Sequence, residues 1–213
     1  MTTPVSQTSD AWNQPPQPIV LASSSVTRQR MLENAGVVFE SHPARIDEEE
    51  IKQSLLAEDA PGHAIADVLA GRKAAYVSHR HPDKIIVGAD QILECDGEIY
   101  SKPVDRAGAK TQLERLRGRD HDLISVVCVV QNGQRIWHHL DRAHLQMRRF
   151  SDGFLDDYLD AVGDIALEGP GGYRIEGLGA QLFSRITGDY FTILGLPLLP
   201  LLDYLRAQKT LPT

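Results

Sequence analysis

The segment Ile85-Ile86-Val87-Gly88-Ala89-Asp90 constrains the fold more than any other part of the chain. Its apolar residues run on without the polar alternation of a half-solvated strand, so it reads as a buried strand ending on an acid. Such a strand has to be covered, and the flanking sequence supplies helices. Pro18-Ile19-Val20-Leu21-Ala22 is a second short apolar strand, which runs through Ser23-Ser24-Ser25 into a helical stretch. That stretch has Met31 and Leu32 on its apolar face and Gly36 at the expected C′ position. Pro61 opens another helix, with Ile65, Val68, Leu69 and Tyr76 at helical spacing.

Val37 to Glu40 reads as a strand, residues 46–50 as an acidic loop, and Leu123 to Val130 before Asn132-Gly133 as one arm of a β-hairpin. Ser151 is placed to cap a helix through Val162, and the end of the chain reads as a helix. Strands and helices mix throughout with no repeat and no internal linker, which predicts one α/β domain over residues 18–213. Residues 1–17, rich in Thr, Gln, Pro and Ser, lack the apolar surface that offsets ordering entropy and are expected to form a disordered tail.

Composition removes several classes of function. Lys plus Arg number 22 against 29 Asp plus Glu, a formal net charge of -7. A nucleic-acid polymer or a membrane surface would require a positive field, so neither is an expected partner. No apolar run reaches the ~18 residues of a membrane span. The N-terminal stretch has neither the basic nor the apolar region of a signal peptide, and a cytoplasmic location is the expectation. Cys95 and Cys128 stand far apart and outside any C-x-x-C pattern, which supports neither a disulfide framework nor a zinc knuckle.

Motif logic removes more. The P-loop pattern is absent, the glycines at 169–172 and 177–179 fail the dinucleotide fingerprint, and there is no G-x-S-x-G elbow. The histidine pairs His79/His81 and His138/His139 lack the i, i+4 spacing of a helical zinc site and read as solvated or structural; His121 is left open.

Two groups of residues remain. The turn Ser23-Ser24-Ser25-x-x-Arg28 follows a buried strand and opens a helix. Hydroxyls, helix N-terminal N–H groups and a guanidinium can cradle a phosphate, and the same serines can equally serve as a helix cap. The second group is Lys73, Asp90, Lys102 and Asp105. An acid at the C-terminal end of a buried parallel strand sits where α/β sheets place ligands. Asp90 could there hold a divalent metal or deprotonate a water, or merely cap a loop. Lys102, in Ser-Lys-Pro-Val-Asp, offers a point charge on a rigid turn.

Taken in order, these segments resemble the Maf family of nucleotide pyrophosphatases. The family's Leu-Ala-Ser-x-Ser-Pro-Arg-Arg is matched by Leu21 to Arg28, its Gly-x-x-Phe-Glu by Gly36 to Glu40, and its Val-Asp-Glu by Ile46-Asp47-Glu48. Lys73-Ala74, Gly88-Ala89-Asp90-Gln91, Ser101 to Asp105, Leu113 to His121 and Gly188 to Leu198 follow as further matches. The resemblance spans about residues 19–206. It implies a three-layer α/β/α fold with an elongated mixed central sheet and a cleft between two lobes, in a family that is often a homodimer. It implies hydrolysis of a nucleoside triphosphate to the monophosphate and pyrophosphate with Mg²⁺ or Mn²⁺.

By position, the resemblance makes Asp90 the proton acceptor that activates water and a metal ligand with Glu40. It makes Arg28, Lys73 and Lys102 cations on the phosphates, and Ser23 and Ser25 part of the substrate cradle. Thr27 replaces the family's first arginine, which removes one cation from the cleft. Gln91 and Glu176 stand where the pyrimidine branch carries Thr and Gln; both resemble the branch acting on 7-methylguanosine triphosphate, which has Trp at the position of Thr27. A carboxylate at 176 can accept from the N1–H and N2 amino edge of a guanine. The expected function is sanitation of the nucleotide pool. The alternative is a nucleotide-binding regulator of cell division and septum formation that binds without turnover; Asp90 beside Lys73 and Lys102 favours the enzyme.

Overall fold

The computed structural model describes residues 18–212, and the tail expected over residues 1–17 lies outside them. In chain order the elements are β1 (Ile19–Leu21), α1 (Val26–Asn34), β2 (Phe39–Ser41), α2 (Glu48–Ala57), α3 (Gly62–Ser78), β3 (Ile86–Cys95), β4 (Glu98–Tyr100) and α4 (Arg106–Leu116). There follow β5 (Asp120–Gln131), β6 (Gln134–Met147), α5 (Asp152–Val162), β7 (Phe183–Thr187), α6 (Tyr190–Ile193) and α7 (Leu198–Ala207). The seven strands form one mixed sheet in the order β2-β1-β3-β5-β6-β7, with β4 added on β3. Only the β2–β1–β3 side is parallel; β3, β5, β6 and β7 are antiparallel neighbours.

Successive residues of a strand face opposite sides of the sheet, and β3 shows what covers each. Ile86 and Ile92 pack with Val126 and Cys128 against Ile65, Leu69 and Ala70 of α3. On the other face two separate groups of helices take turns. Val87 and Ala89 lie under α1 and α7, through Met31, Leu32, Leu201 and Leu205. Leu93 and Cys95 lie under α4 and α5, through Leu113, Leu116, Leu155 and Leu159. The result is three layers, with one face divided into two lobes that separate at Gln91. This is the α/β/α architecture with an inter-lobe cleft that the family resemblance implies.

Two sequence expectations are corrected. Residues 46–50 are not a loop: Asp47 caps α2 by accepting from the Glu50 backbone N–H at 2.9 Å, and Glu48, Glu49 and Glu50 form its first turn. Carboxylates there complement the positive end of the helix dipole, so the acidic run is a helix start. Nor does Asp90 end its strand. β3 continues to Cys95, because β5 pairs with it from Ile86 to Glu94 and β4 pairs with Leu93 to Cys95.

That length is what opens the site. β1 is short and pairs only with Ile86 and Val87, whereas β4 joins the same edge of β3 at Leu93. Between them residues 88–92 have a strand partner on the β5 side alone. Cys95 and Cys128 are buried free thiols, and burial pushes the Cys128 thiol up to about 12. Among the described residues, no helix is long and apolar enough to cross a membrane.

Candidate active site

A cavity of about 690 Å³ occupies the gap beside β3, between the lobes. That is the size of a small-molecule site. Its lining includes Ser23, Ser25, Thr27, Arg28, Lys73, Asp90, Gln91, Lys102 and Glu176. Nine of the ten residues expected from the sequence are therefore brought together.

In the turn after β1 the serines act as a helix cap, and Ser23 and Ser25 also line the cavity. Ser25 caps α1, accepting from the Arg28 N–H, while its own N–H donates to Ser23 Oγ. Arg28 is buried and ties three elements together. Its Nε donates to Gly195 O at 2.8 Å, and Nη1 donates to Ser23 Oγ at 3.2 Å and to Ala89 O at 3.0 Å. The Ala89 carbonyl lies just past the end of β1, where the last ladder bond is Ala22 N–H to Val87 O; Arg28 supplies the donor that the missing strand would have provided.

Asp90 and Lys73 form a buried pair, 2.7 Å apart, with side chains 9% and 8% exposed. Gly88 makes that pairing possible. A Cβ at this position would lie 2.3 Å from Ala70 O and 2.8 Å from the Ala74 Cβ, so α3 rests directly on the β3 backbone. Burial raises the Asp90 carboxyl above the ordinary carboxylate range, while Lys73 and then Arg28 pull it back down. Burial likewise lowers the Arg28 guanidinium. Lys102 is exposed on the far wall and has no ion-pair partner among the described residues. Asp105, grouped with it by sequence, instead caps α4 by accepting from the Gly108 N–H at 2.7 Å.

Glu40 is the expected residue that the fold does not bring to the cleft. It lies on β2, outside β1, where it pairs with Lys84 at 2.6 Å and with His42 at 3.3 Å. β1 stands between it and the open edge of β3. The carboxylate that does arrive is Glu48, 2.6 Å from Lys73 Nζ and in the cleft wall. As part of a loop, Glu48 has no defined place in the sequence pattern; the Asp47 cap three residues before Glu50 is the signal that sets it in the first turn of a helix.

Glu48 and Asp90 therefore converge on one ammonium. Among the described residues, no three His, Cys, Asp or Glu side chains gather into a metal-binding group. The donor set is hard and incomplete, which suits a Mg²⁺-like cation that fills its shell with phosphate oxygens and water rather than one caged by protein.

On the other wall, Gln91 Nε2 lies 3.0 Å from Ser125 Oγ, Thr192 O and Ile193 O. Arg174 reaches Glu176 at 3.3 Å and Glu168 at 3.1 Å. Tyr173, another lining residue, is held from behind by His121, whose Nε2 is 2.7 Å from the phenol oxygen. His121 is thus buried packing behind the cleft wall, and burial lowers its pKa to about 4.

A family model described as Maf-like protein matches residues 18–208. The chain is 50% identical over 192 residues to a protein of Paramagnetospirillum magneticum named nucleoside triphosphate pyrophosphatase, covering 90% of this chain and 99% of that one. Proteins of the same name from Granulibacter bethesdensis and Roseobacter denitrificans are each 47% identical. Those matches cover 91% and 92% of this chain and 98% and 99% of theirs.

Proposed function

The chain belongs to the Maf family, and from that premise we propose that its cleft hydrolyses nucleoside triphosphates to nucleoside monophosphate and pyrophosphate. The observation that carries this reading is the buried Asp90–Lys73 pair in a cleft also lined by Ser23, Arg28 and Lys102. A site that only bound phosphates would gain nothing from a carboxylate held among its cations.

In this reading Asp90 takes the proton from a water that attacks the α-phosphorus, with the pyrophosphate as leaving group. Burial makes its carboxylate a stronger base than one in solvent, while Lys73 favours the ionised form against that burial. Lys102, Lys73 and Ser23 bear on the triphosphate oxygens, where charge develops as the bond breaks. Arg28 has three of its N–H groups committed to Gly195, Ser23 and Ala89, so its main part is to hold the serine turn against β3. Glu48 and Asp90 would hold a divalent cation, which supplies charge neutralisation on the phosphates when bound.

Gln91, Glu176 and Thr27 also line the cleft, and we assign them to the base. Glu176 presents a carboxylate, an acceptor for the N1–H and N2 amino group of guanine. This favours 7-methylguanosine triphosphate and related modified guanine nucleotides over uracil and thymine nucleotides.

The test is pyrophosphate release by the full-length protein, with Mn²⁺ or Mg²⁺, from a panel of standard and modified triphosphates. Release that falls at least about a hundredfold in Asp90→Asn is expected, with 7-methylguanosine triphosphate ahead of UTP and dTTP. Binding without release from any member would instead favour the non-catalytic regulator. The reverse base order would overturn the guanine assignment.

A further inference from the structure

Strand register places Gln91 of β3 opposite Ser125 of β5, and Ser125 opposite Asp141 of β6. Directly opposed residues of antiparallel strands share a face, so these three polar side chains form one row across the sheet. Around them β5 is almost wholly apolar, from Leu123 and Ile124 to Val126, Val127 and Val129. Ser125 is fully buried, as is Thr192 of α6, which lies against the row. Thr192 Oγ1 donates to Asp141 Oδ2 at 2.7 Å, and the Thr192 carbonyl accepts from Ser125 Oγ at 2.8 Å.

The orientation of a glutamine amide is decided by its partners, because its oxygen and nitrogen have nearly the same shape. The Thr192 and Ile193 carbonyls can only accept. Ser125 has already given its single proton to the Thr192 carbonyl, so it too has only a lone pair to offer Gln91. All three neighbours of the Gln91 terminus, each at 3.0 Å, are acceptors. Only the NH₂ group fits there; a flipped amide would set its oxygen against two carbonyl oxygens. Oε1 is then left without a hydrogen-bond partner among the described residues, on a side chain that lines the cleft.

We propose that Ser125 is a positioning residue for base selection: with the α6 carbonyls it locks the Gln91 amide so that Oε1 is presented to the bound base as an acceptor. The inference rests on the assignment of Gln91 to the base side of the cleft. With Glu176 it gives that side two acceptors, a pattern that rewards a base edge carrying adjacent donors and penalises one carrying a carbonyl. Asp141 acts at one remove, by anchoring the Thr192 side chain.

The experiment compares kcat/KM for guanine and uracil triphosphates in the wild type, Ser125→Ala, Ser125→Thr and Thr192→Val. Ser125→Ala removes one of the three acceptors around the Gln91 NH₂ and the donor to the Thr192 carbonyl, which loosens the amide without freeing it, and the ratio between the wild type's better and poorer base is expected to fall at least about threefold. The change should appear in KM, with kcat on the better base held within about threefold. Ser125→Thr, which keeps the hydroxyl, restores the ratio. Thr192→Val keeps the carbonyl but loses the tie to Asp141, and lowers the ratio by less.

A ratio unchanged within about twofold in Ser125→Ala, or a uniform loss on every base, overturns the proposal. Failure of the guanine assignment shows separately, as the order of bases in the wild type. Should turnover be absent altogether, dissociation constants for the same nucleotides give the same ratio, and the same outcomes decide it.

Discussion

Lys73 holds its ammonium 2.7 Å from the Asp90 carboxylate, in a pair almost wholly withdrawn from water. Of the influences that lower the Asp90 carboxyl against the effect of burial, Lys73 is the largest. Lys73→Gln removes it, so Asp90 keeps its proton to higher pH. The acidic limb of the kcat/KM profile is expected to move up by about one pH unit or more. An unmoved limb would mean that another group sets it. Asp90→Asn in turn should lower kcat by about 10²–10⁴-fold, the range of a lost general base.

The two glutamates make opposite predictions. Glu48→Gln removes a carboxylate that faces Lys73 in the cleft, and the Mn²⁺ concentration for half-maximal activity should rise about tenfold. Glu40→Gln breaks only the pairs with Lys84 and His42 on β2, so the same titration should stay within about twofold of wild type. Metal titrations of both variants check this, and the reverse order would restore Glu40 to the site.

Gly88→Ala should damage stability and activity together. Its new methyl group would meet the backbone of α3 at Ala70, and rigid backbone cannot yield as a side chain can. Overpacking of this kind costs about 1–3 kcal/mol. Because Lys73 rides on α3 and Asp90 on β3, the same displacement lengthens their contact. Chemical denaturation beside kcat measurements checks both effects; a variant of native stability and activity would show that α3 can move freely.

His121 predicts a loss of stability in mild acid. Burial lowers its pKa from an ordinary 6.5 to about 4, so the unfolded chain takes up a proton between these values that the folded protein refuses. The contribution is intact above about pH 6.5 and is lost progressively as pH falls toward 4, by about 2 kcal/mol at pH 5. His121→Gln can keep a hydrogen bond to Tyr173 while removing the titration. Melting temperatures at pH 7 and pH 5 should therefore fall less in the variant than in the wild type. Equal falls would rule the effect out.

Much of this is legible in the sequence alone. Ile85 to Asp90, the serine turn and Lys102 could be placed because local pattern and motif agree on them. Glu48 could not, because an acidic run is a loop or a helix start according to whether one side chain caps it. The true length of β3 was hidden for a related reason. After Asp90 its residues are half polar, and what keeps them in a strand is pairing with β5 and β4, distant in sequence. The Gln91–Ser125–Asp141 row depends wholly on such register and leaves no trace in local sequence.

A strand edge without a partner invites another chain to pair with it, and residues 88–92 of β3 are such an edge. Arg28 blunts it by occupying the Ala89 carbonyl, and the cleft side chains crowd what is left. The residues that line the proposed nucleotide cleft thus also leave this edge little room to pair. Loss of Arg28 would leave the Ala89 carbonyl open on that edge, so it is expected to lower solubility as well as turnover.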